Sequence, residues 1–159
     1  MVAVLARRGT CCLVMCLAVL SMSAQALSLT GVQSRKMHPD AAATHDLQVD
    51  ASQAMSGNLT IESRAIGSGH RIVFQFDAPI VSTGTLSVID DAILPVAGVS
   101  ALASGTEIVV TIPLLADNRR LTVSLENVNG TMLNVSASLA FRVGDTNQSG
   151  SVVAGDISS

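Results

Sequence analysis

The chain has 159 residues, of which 48% are hydrophobic and 13% charged, and its formal net charge is −3. This length suits a single domain, and the composition lies far from that of disordered chains. The acidic balance argues against nucleic acid and anionic membrane surfaces as partners.

Residues 1–26 carry the three parts of a secretory signal peptide: Arg7 and Arg8 as a positive start, "CCLVMCLAVL" over residues 11–20 as the apolar stretch, and "AQA" at residues 24–26 as the cleavage site. Cleavage after Ala26 is predicted. The product is secreted or extracellular, with no stable membrane anchor, because the apolar run is only about half of the roughly 20 residues that span a bilayer core. "GTCC" follows the arginine pair where twin-arginine leaders carry apolar residues, which favours the general secretory route, and Met15 before Cys16 fits a lipoprotein site poorly. Cys11, Cys12 and Cys16 are the three cysteines and all leave with the leader, so the mature domain has neither a disulfide framework nor a thiol nucleophile.

Residues 27–46, "LSLTGVQSRKMHPDAAATHD", show no period and read as an extended lead-in or linker. From residue 47 to residue 143 the pattern is period two, with "NLTIES" near Leu59 the first short strand. In "RIVFQFDAPI", Ile72, Phe74 and Phe76 share one face, and "TLSVID" near Leu86 is another short strand. Ile108, Val110 and Ile112 alternate in "TEIVVTIPL", as do Leu121, Val123 and Leu125 in "RRLTVSLENV". The last strand, "NVSASLAFRV", places Val135, Ala137, Leu139, Phe141 and Val143 inside. Turn residues separate these runs at residues 67–69, 82–84, 104–105 and 129–130. Roughly six or seven short strands with no helical period predict an all-β fold, an immunoglobulin-like β-sandwich, with a small barrel as the alternative.

No catalytic arrangement is visible, and the chain is read as a non-enzyme. His38, His45 and His70 have no zinc-ligand spacing and read as surface or turn residues. Asp90 and Asp91 are adjacent, so a strand would point them to opposite faces, and they read as a turn. The sequence holds no Trp or Tyr, and Phe74, Phe76 and Phe141 fall on apolar faces, which removes the usual stacking surface for sugars or single-stranded nucleic acid. Four Asn-x-Ser/Thr sequons, at Asn58, Asn129, Asn134 and Asn147, are assigned no role.

The final stretch, "GDTNQSGSVVAGDISS", has a spacing set by coordination chemistry. An EF-hand loop presents oxygen ligands at positions 1, 3, 5, 7, 9 and 12, with glycine at 6. Counting from Asp145 gives Asp145, Asn147 and Ser149 at 1, 3 and 5, Gly150 at 6, the carbonyl of Ser151 at 7, and Asp156 at 12. These five ligands, Asp145, Asn147, Ser149, Ser151 and Asp156, predict an EF-hand-like Ca2+ loop. Val152 at position 8 is expected to pack inward, and Val153 at position 9 leaves that vertex to water.

"VGDTNQSGSVVAGDIS" resembles the first half of a type I dockerin repeat, whose usual form is G-D-x-N-x-D/S-G-x-V-x-x-x-D-[IL] followed by a short helix. Upstream, "SRKMH" at residues 34–38, "IGSGHRIVFQF" at residues 66–76 and "VNGTMLNVSASLAFRVGD" at residues 128–145 are similar to the β-domain of a group of secreted bacterial proteins that runs straight into such a repeat. The resemblance implies a non-catalytic exported module in which calcium folds the terminal repeat, and the repeat docks a protein partner of cohesin type, as in polysaccharide-degrading assemblies. The expected division is a signal peptide over residues 1–26, a lead-in over 27–46, the β-sandwich over 47–143, and a partial, truncated dockerin-type loop over 144–159. A purely structural or adhesive immunoglobulin-like secreted domain without metal is the alternative.

Overall fold

The computed structural model describes residues 26–37, residues 44–153 and Asp156. The leader predicted over residues 1–26, apart from Ala26, lies outside the described residues, as does His38. The described chain forms nine strands: β1 (Leu29–Met37), β2 (Thr44–Val49), β3 (Thr60–Glu62), β4 (His70–Phe76), β5 (Thr85–Asp90), β6 (Ser100–Ser104), β7 (Glu107–Ile112), β8 (Arg119–Glu126) and β9 (Val135–Phe141). A single 3-10 turn, Val128–Gly130, joins the last two.

The strands make two sheets, one ordered β2-β1-β4-β7-β6 and the other β3-β9-β8-β5. Neighbours are antiparallel except β3 and β9, which run parallel with Thr60 opposite Leu139 and Glu62 opposite Phe141. The inner faces meet in one core. Ile72, Phe74, Ile108, Val110 and Ile112 come from the first sheet, Leu121, Val123, Leu125 and Leu139 from the second, and none is exposed. Side chains alternate across a strand, so β7 and β8 bury every second residue, as the period-two reading predicts, while β4 buries Val73 as well.

Three sequence expectations need correction. The segment read as a lead-in over residues 27–46 instead supplies β1 and the first part of β2, and β1 is an interior strand bonded to both β2 and β4. Its inward positions are Val32, Ser34 and Lys36, and two polar residues in three hide the apolar period. Ser34 nevertheless is fully buried, because its hydroxyl donates to Glu62 on β3. The second unpredicted strand, β6, turns Ala101 and Ala103 inward and leaves Leu102 exposed, so hydropathy points the wrong way. Val143, expected inside, lies beyond the end of β9 and is exposed.

Turns fall where the sequence places them, and one of them admits only glycine. Gly84 has φ +68, and a Cβ there would lie 2.0 Å from the Glu126 carbonyl oxygen. The 3-10 turn is fastened by Asn129, a residue with φ 56. Its Oδ1 accepts the amides of Val81 and Ser82 at 2.8 and 3.0 Å, and its Nδ2 donates to the Pro79 carbonyl at 3.0 Å. One sequon asparagine is therefore a structural clasp between the chain before β5 and the turn before β9.

Candidate functional site

The C-terminal loop grows directly out of the parallel β3–β9 pair. Past Phe141 the chain keeps bonding toward β3 and the residue after it, with Arg142 N–H on Glu62 O at 3.1 Å and Gly144 N–H on Ser63 O at 3.0 Å. The Asp117 carboxylate accepts Val143 N–H at 2.9 Å from the other side. Gly144, at φ +89, then turns the chain so that Asp145 points inward and becomes fully buried.

Asp145 organises the tight turn that follows. Its Oδ1 accepts Ser149 N–H at 3.0 Å and its Oδ2 accepts Gly150 N–H at 2.8 Å. Asn147 Oδ1 shares the Ser149 amide at 2.9 Å, and Ser149 Oγ donates to the Ser151 carbonyl at 3.0 Å. A turn this sharp requires left-handed backbone, which Gln148 (φ 58) and Gly150 (φ 82) supply. The glycine at the sixth position thus has a conformational reason to be there.

Asp156 closes the loop from its far end. Its Oδ1 accepts Asn147 N–H at 3.2 Å, its Oδ2 accepts Val153 N–H at 2.8 Å, and Thr146 Oγ1 donates to its carbonyl at 3.2 Å. The Val153 amide first, and the Asn147 and Thr146 amides after it, hold this carboxyl below the ordinary aspartate range despite opposition from burial. The predicted residues are therefore brought together in one closed loop: Asp145, Asn147, Ser149 and Ser151 in a single turn, with Asp156 folded back onto its entry. Val152 departs from expectation. It covers Gly144, whose Cβ would lie 3.6 Å from Val152 Cγ1, but remains 52% exposed.

The donor set is two carboxylates, one amide oxygen, one hydroxyl and one carbonyl, all hard oxygens of the kind that suit calcium. Each carboxylate oxygen that accepts an amide keeps further lone-pair capacity. Among the described residues no three His, Cys, Asp or Glu side chains group as a metal site, so an ion here would need the neutral oxygens as well. Asp145 and Asp156 are both buried, and neither makes an ion pair with a basic side chain among the described residues. Backbone amides compensate the Asp156 charge in part, and a bound cation would supply the counter-charge that both carboxylates lack. The residues present fit calcium on these grounds.

The loop tip forms one wall of a cleft of about 380 Å³ that also takes in Arg119, Arg120 and Arg142. Asn118 Oδ1 holds the Arg142 guanidinium at 2.6 and 3.1 Å. Arg119 reaches Asp91 at 3.1 Å, and Asp90 caps the following turn by accepting Ala92 and Leu94 amides, as the turn reading of this pair expects.

A second polar group, which sequence reasoning missed, sits inside the sandwich end. The Glu62 carboxylate, with no side-chain exposure, receives Ser34 Oγ and the Arg64 guanidinium, whose Nη2 is 2.5 Å away. His70, expected at the surface, is 3% exposed and stacks near Phe141, and its Nδ1 has no partner among the described residues. Burial, and after it the nearby Lys36, pushes the imidazole down to about 4, so it is neutral at ordinary pH. The clue available in the sequence was the position of His70 on the inward phase of "HRIVFQF".

Neither a family model nor a curated protein sequence matches this chain, so its functional reading rests on the chemistry of the loop itself.

Proposed function

We propose that the protein is an exported, non-catalytic module in which an immunoglobulin-like β-sandwich carries a calcium-binding loop of dockerin type, and that the calcium-ordered loop serves docking to a protein partner of cohesin type. The observation that carries this reading is the pairing of Asp145 and Asp156, two buried carboxylates closing one loop with no basic side chain to neutralise them among the described residues. The two face-to-face sheets, with the chain passing repeatedly between them, support the sandwich class.

Calcium titration followed by NMR at the Gly150 amide tests the metal reading, and retention of the protein on an immobilised cohesin module with and without calcium tests the docking reading. A second reading has its own support. The Ser149, Gly150, Asn147 and Val153 amides already satisfy the two carboxylates in part, which is what a purely structural cap on an adhesive or structural domain requires. Under that reading the Gly150 amide stays unmoved by calcium.

A further inference from the structure

One end of the second sheet gathers arginine, although the chain as a whole has a net charge of −3. The cleft of about 380 Å³ beside the C-terminal loop takes its walls from residues 57–61, 118–120, 140–142 and 148–150 together with Asp91, all of them described. Concave walls of one sign focus the electrostatic field, so what matters is which of these charges lie on one face and which are already answered.

The register puts two of the arginines on the same face. Arg120 stands opposite Ala140, and Thr122 opposite Ser138, with the two hydroxyls 2.9 Å apart on the side of the sheet turned away from Leu121 and Val123. Residues two apart share a face, so Arg142, two positions past Ala140, is the diagonal neighbour of Arg120, and such neighbours lie roughly 7 to 8 Å apart. Asn118, two positions before Arg120, agrees with this phase, because its Oδ1 accepts Arg142 Nε and Nη2 at 3.1 and 2.6 Å.

Both guanidiniums keep donors for a ligand. Arg120 Nη1 donates to the Met55 carbonyl at 2.8 Å, while its Nε and Nη2, an edge that takes two oxygens at once, make no bond among the described residues. Arg142 Nη1 lies toward the loop tip, where a Cβ on Gly150 would stand 4.0 Å from it, and the glycine leaves that nitrogen uncovered. Neither arginine forms an ion pair among the described residues. The other two charges of the lining answer each other, with Arg119 on Asp91 at 3.1 Å.

We propose that this cleft binds a tetrahedral oxyanion, a sulfate or phosphate group, seated between the Arg120 and Arg142 guanidiniums. One arginine edge engages both oxygens of a carboxylate, whereas a tetrahedral group has oxygens left for the second arginine. The cleft lies within the range of small-ligand pockets, roughly 300 to 1,000 Å³, and so has room for a body carrying the anion. The exposed amides of Asn58 and Gln148 suit a hydroxylated body. The one ring in the lining, Phe141, is 2% exposed and offers no stacking face. Both cations sit on the sheet rather than on the loop, so the seat stands without calcium.

The test is an NMR titration with sodium sulfate in calcium-free buffer, with sodium chloride at the same ionic strength and sodium acetate as controls. Saturable shifts are expected at the Ala140 amide and at Nε of Arg120 and Arg142 for sulfate, with a dissociation constant on the order of millimolar. Arg120→Gln and Arg142→Gln should each weaken binding about tenfold, and Arg120→Lys should fall between wild type and Arg120→Gln because it keeps the charge and loses the edge. Arg120 is exposed, so its variants leave the core intact. Arg71→Gln, in the other sheet on β4, should bind sulfate as wild type does. Tighter binding of glucose 6-sulfate than of inorganic sulfate would identify an ester as the source of the oxyanion, and equal binding the free ion. Shifts no larger than those of chloride, equal affinity for acetate, wild-type affinity in both Arg120→Gln and Arg142→Gln, or an equal loss in Arg71→Gln would each overturn the proposal.

Discussion

The imidazole of His70 lies against the ring of Phe141, with centroids 4.5 Å apart and planes inclined by 57°, so the first residue of β4 touches the last of β9 across the two sheets. The contact is made by a neutral ring whose pKa is depressed from 6.5 to about 4, mainly by burial.

The depressed value sets a pH dependence. Between pH 6.5 and about 4 the unfolded chain binds a proton at this residue and the folded chain does not, so stability is complete above this window and declines as pH falls through it. The shift corresponds to about 3 kcal/mol in all, with about 2 kcal/mol lost by about pH 5. Urea unfolding at about pH 7.5 and pH 5 measures it. A His70→Phe variant, which keeps a ring against Phe141, should lose most of this pH dependence, and an unchanged dependence in that variant would place its origin elsewhere.

The Glu62–Arg64 pair should be costly to break from one side. The Glu62 side chain is fully buried, whereas that of Arg64 is 31% exposed. Arg64→Met leaves a buried carboxylate with only Ser34 and an amide for company, and should destabilise by about 3 to 5 kcal/mol. Adding Glu62→Leu removes the stranded charge and should recover part of that loss, because neighbours in one network are not additive. A double variant less stable than the sum of the two single variants contradicts this account.

The asparagine clasp gives a graded test, with Asn129 half-buried and Asn134 exposed. Asn129→Ala removes three hydrogen bonds that join residues 79–82 to the 3-10 turn, and should cost about 2 kcal/mol. Asn134→Ala removes one bond, the acceptor for Asn127 N–H, and should cost about 1 kcal/mol or less. Both are sequons, so chemical denaturation of the two variants also shows which asparagine the fold requires bare. Equal costs would mean that solvent replaces the clasp.

How much of this was legible follows from where each strand's inward residues come from. In β4 from Ile72 onward, in β7, and in β8 from Leu121 onward, the inward positions are continuously apolar, so the period declares itself. β1 carries Ser34 and Lys36 inward, and their partners, Glu62 and the Ile66 and Gly69 carbonyls, lie about thirty residues away, beyond any local pattern. β6 buries alanines beside an exposed leucine, which inverts the hydropathy signal. The loop is the opposite case. Side-chain oxygens two apart in a turn are a local matter, so the grouping of Asp145, Asn147 and Ser149 could be read from spacing alone. That the same spacing binds a cation is a further step, and it depends on affinity.

The C-terminal loop should bind calcium weakly, with a dissociation constant of about 10⁻⁴ to 10⁻³ M as in extracellular modules. Two carboxylates and three neutral oxygens make a small charge count, and Val153 contributes no side-chain oxygen, so water must complete the shell. Magnesium should compete poorly because it gives up its waters reluctantly and accepts only a near-regular octahedron. Asp156→Ala should be the most damaging change: it deletes a ligand and also the bonds from Asn147 and Val153 that fold the end of the loop onto its start. Asp145→Ala removes the other charge together with the bonds that shape the turn at Ser149 and Gly150. Calorimetry and NMR on wild type and both variants separate the possibilities. Loss of the calcium response in both, with the sandwich core signals unmoved, is the expected result. Absence of any shift at Gly150 in wild type up to several millimolar calcium, roughly the top of the extracellular range, or equal binding by all three proteins, would reduce the loop to a structural cap in which two buried aspartates serve only their backbone amides.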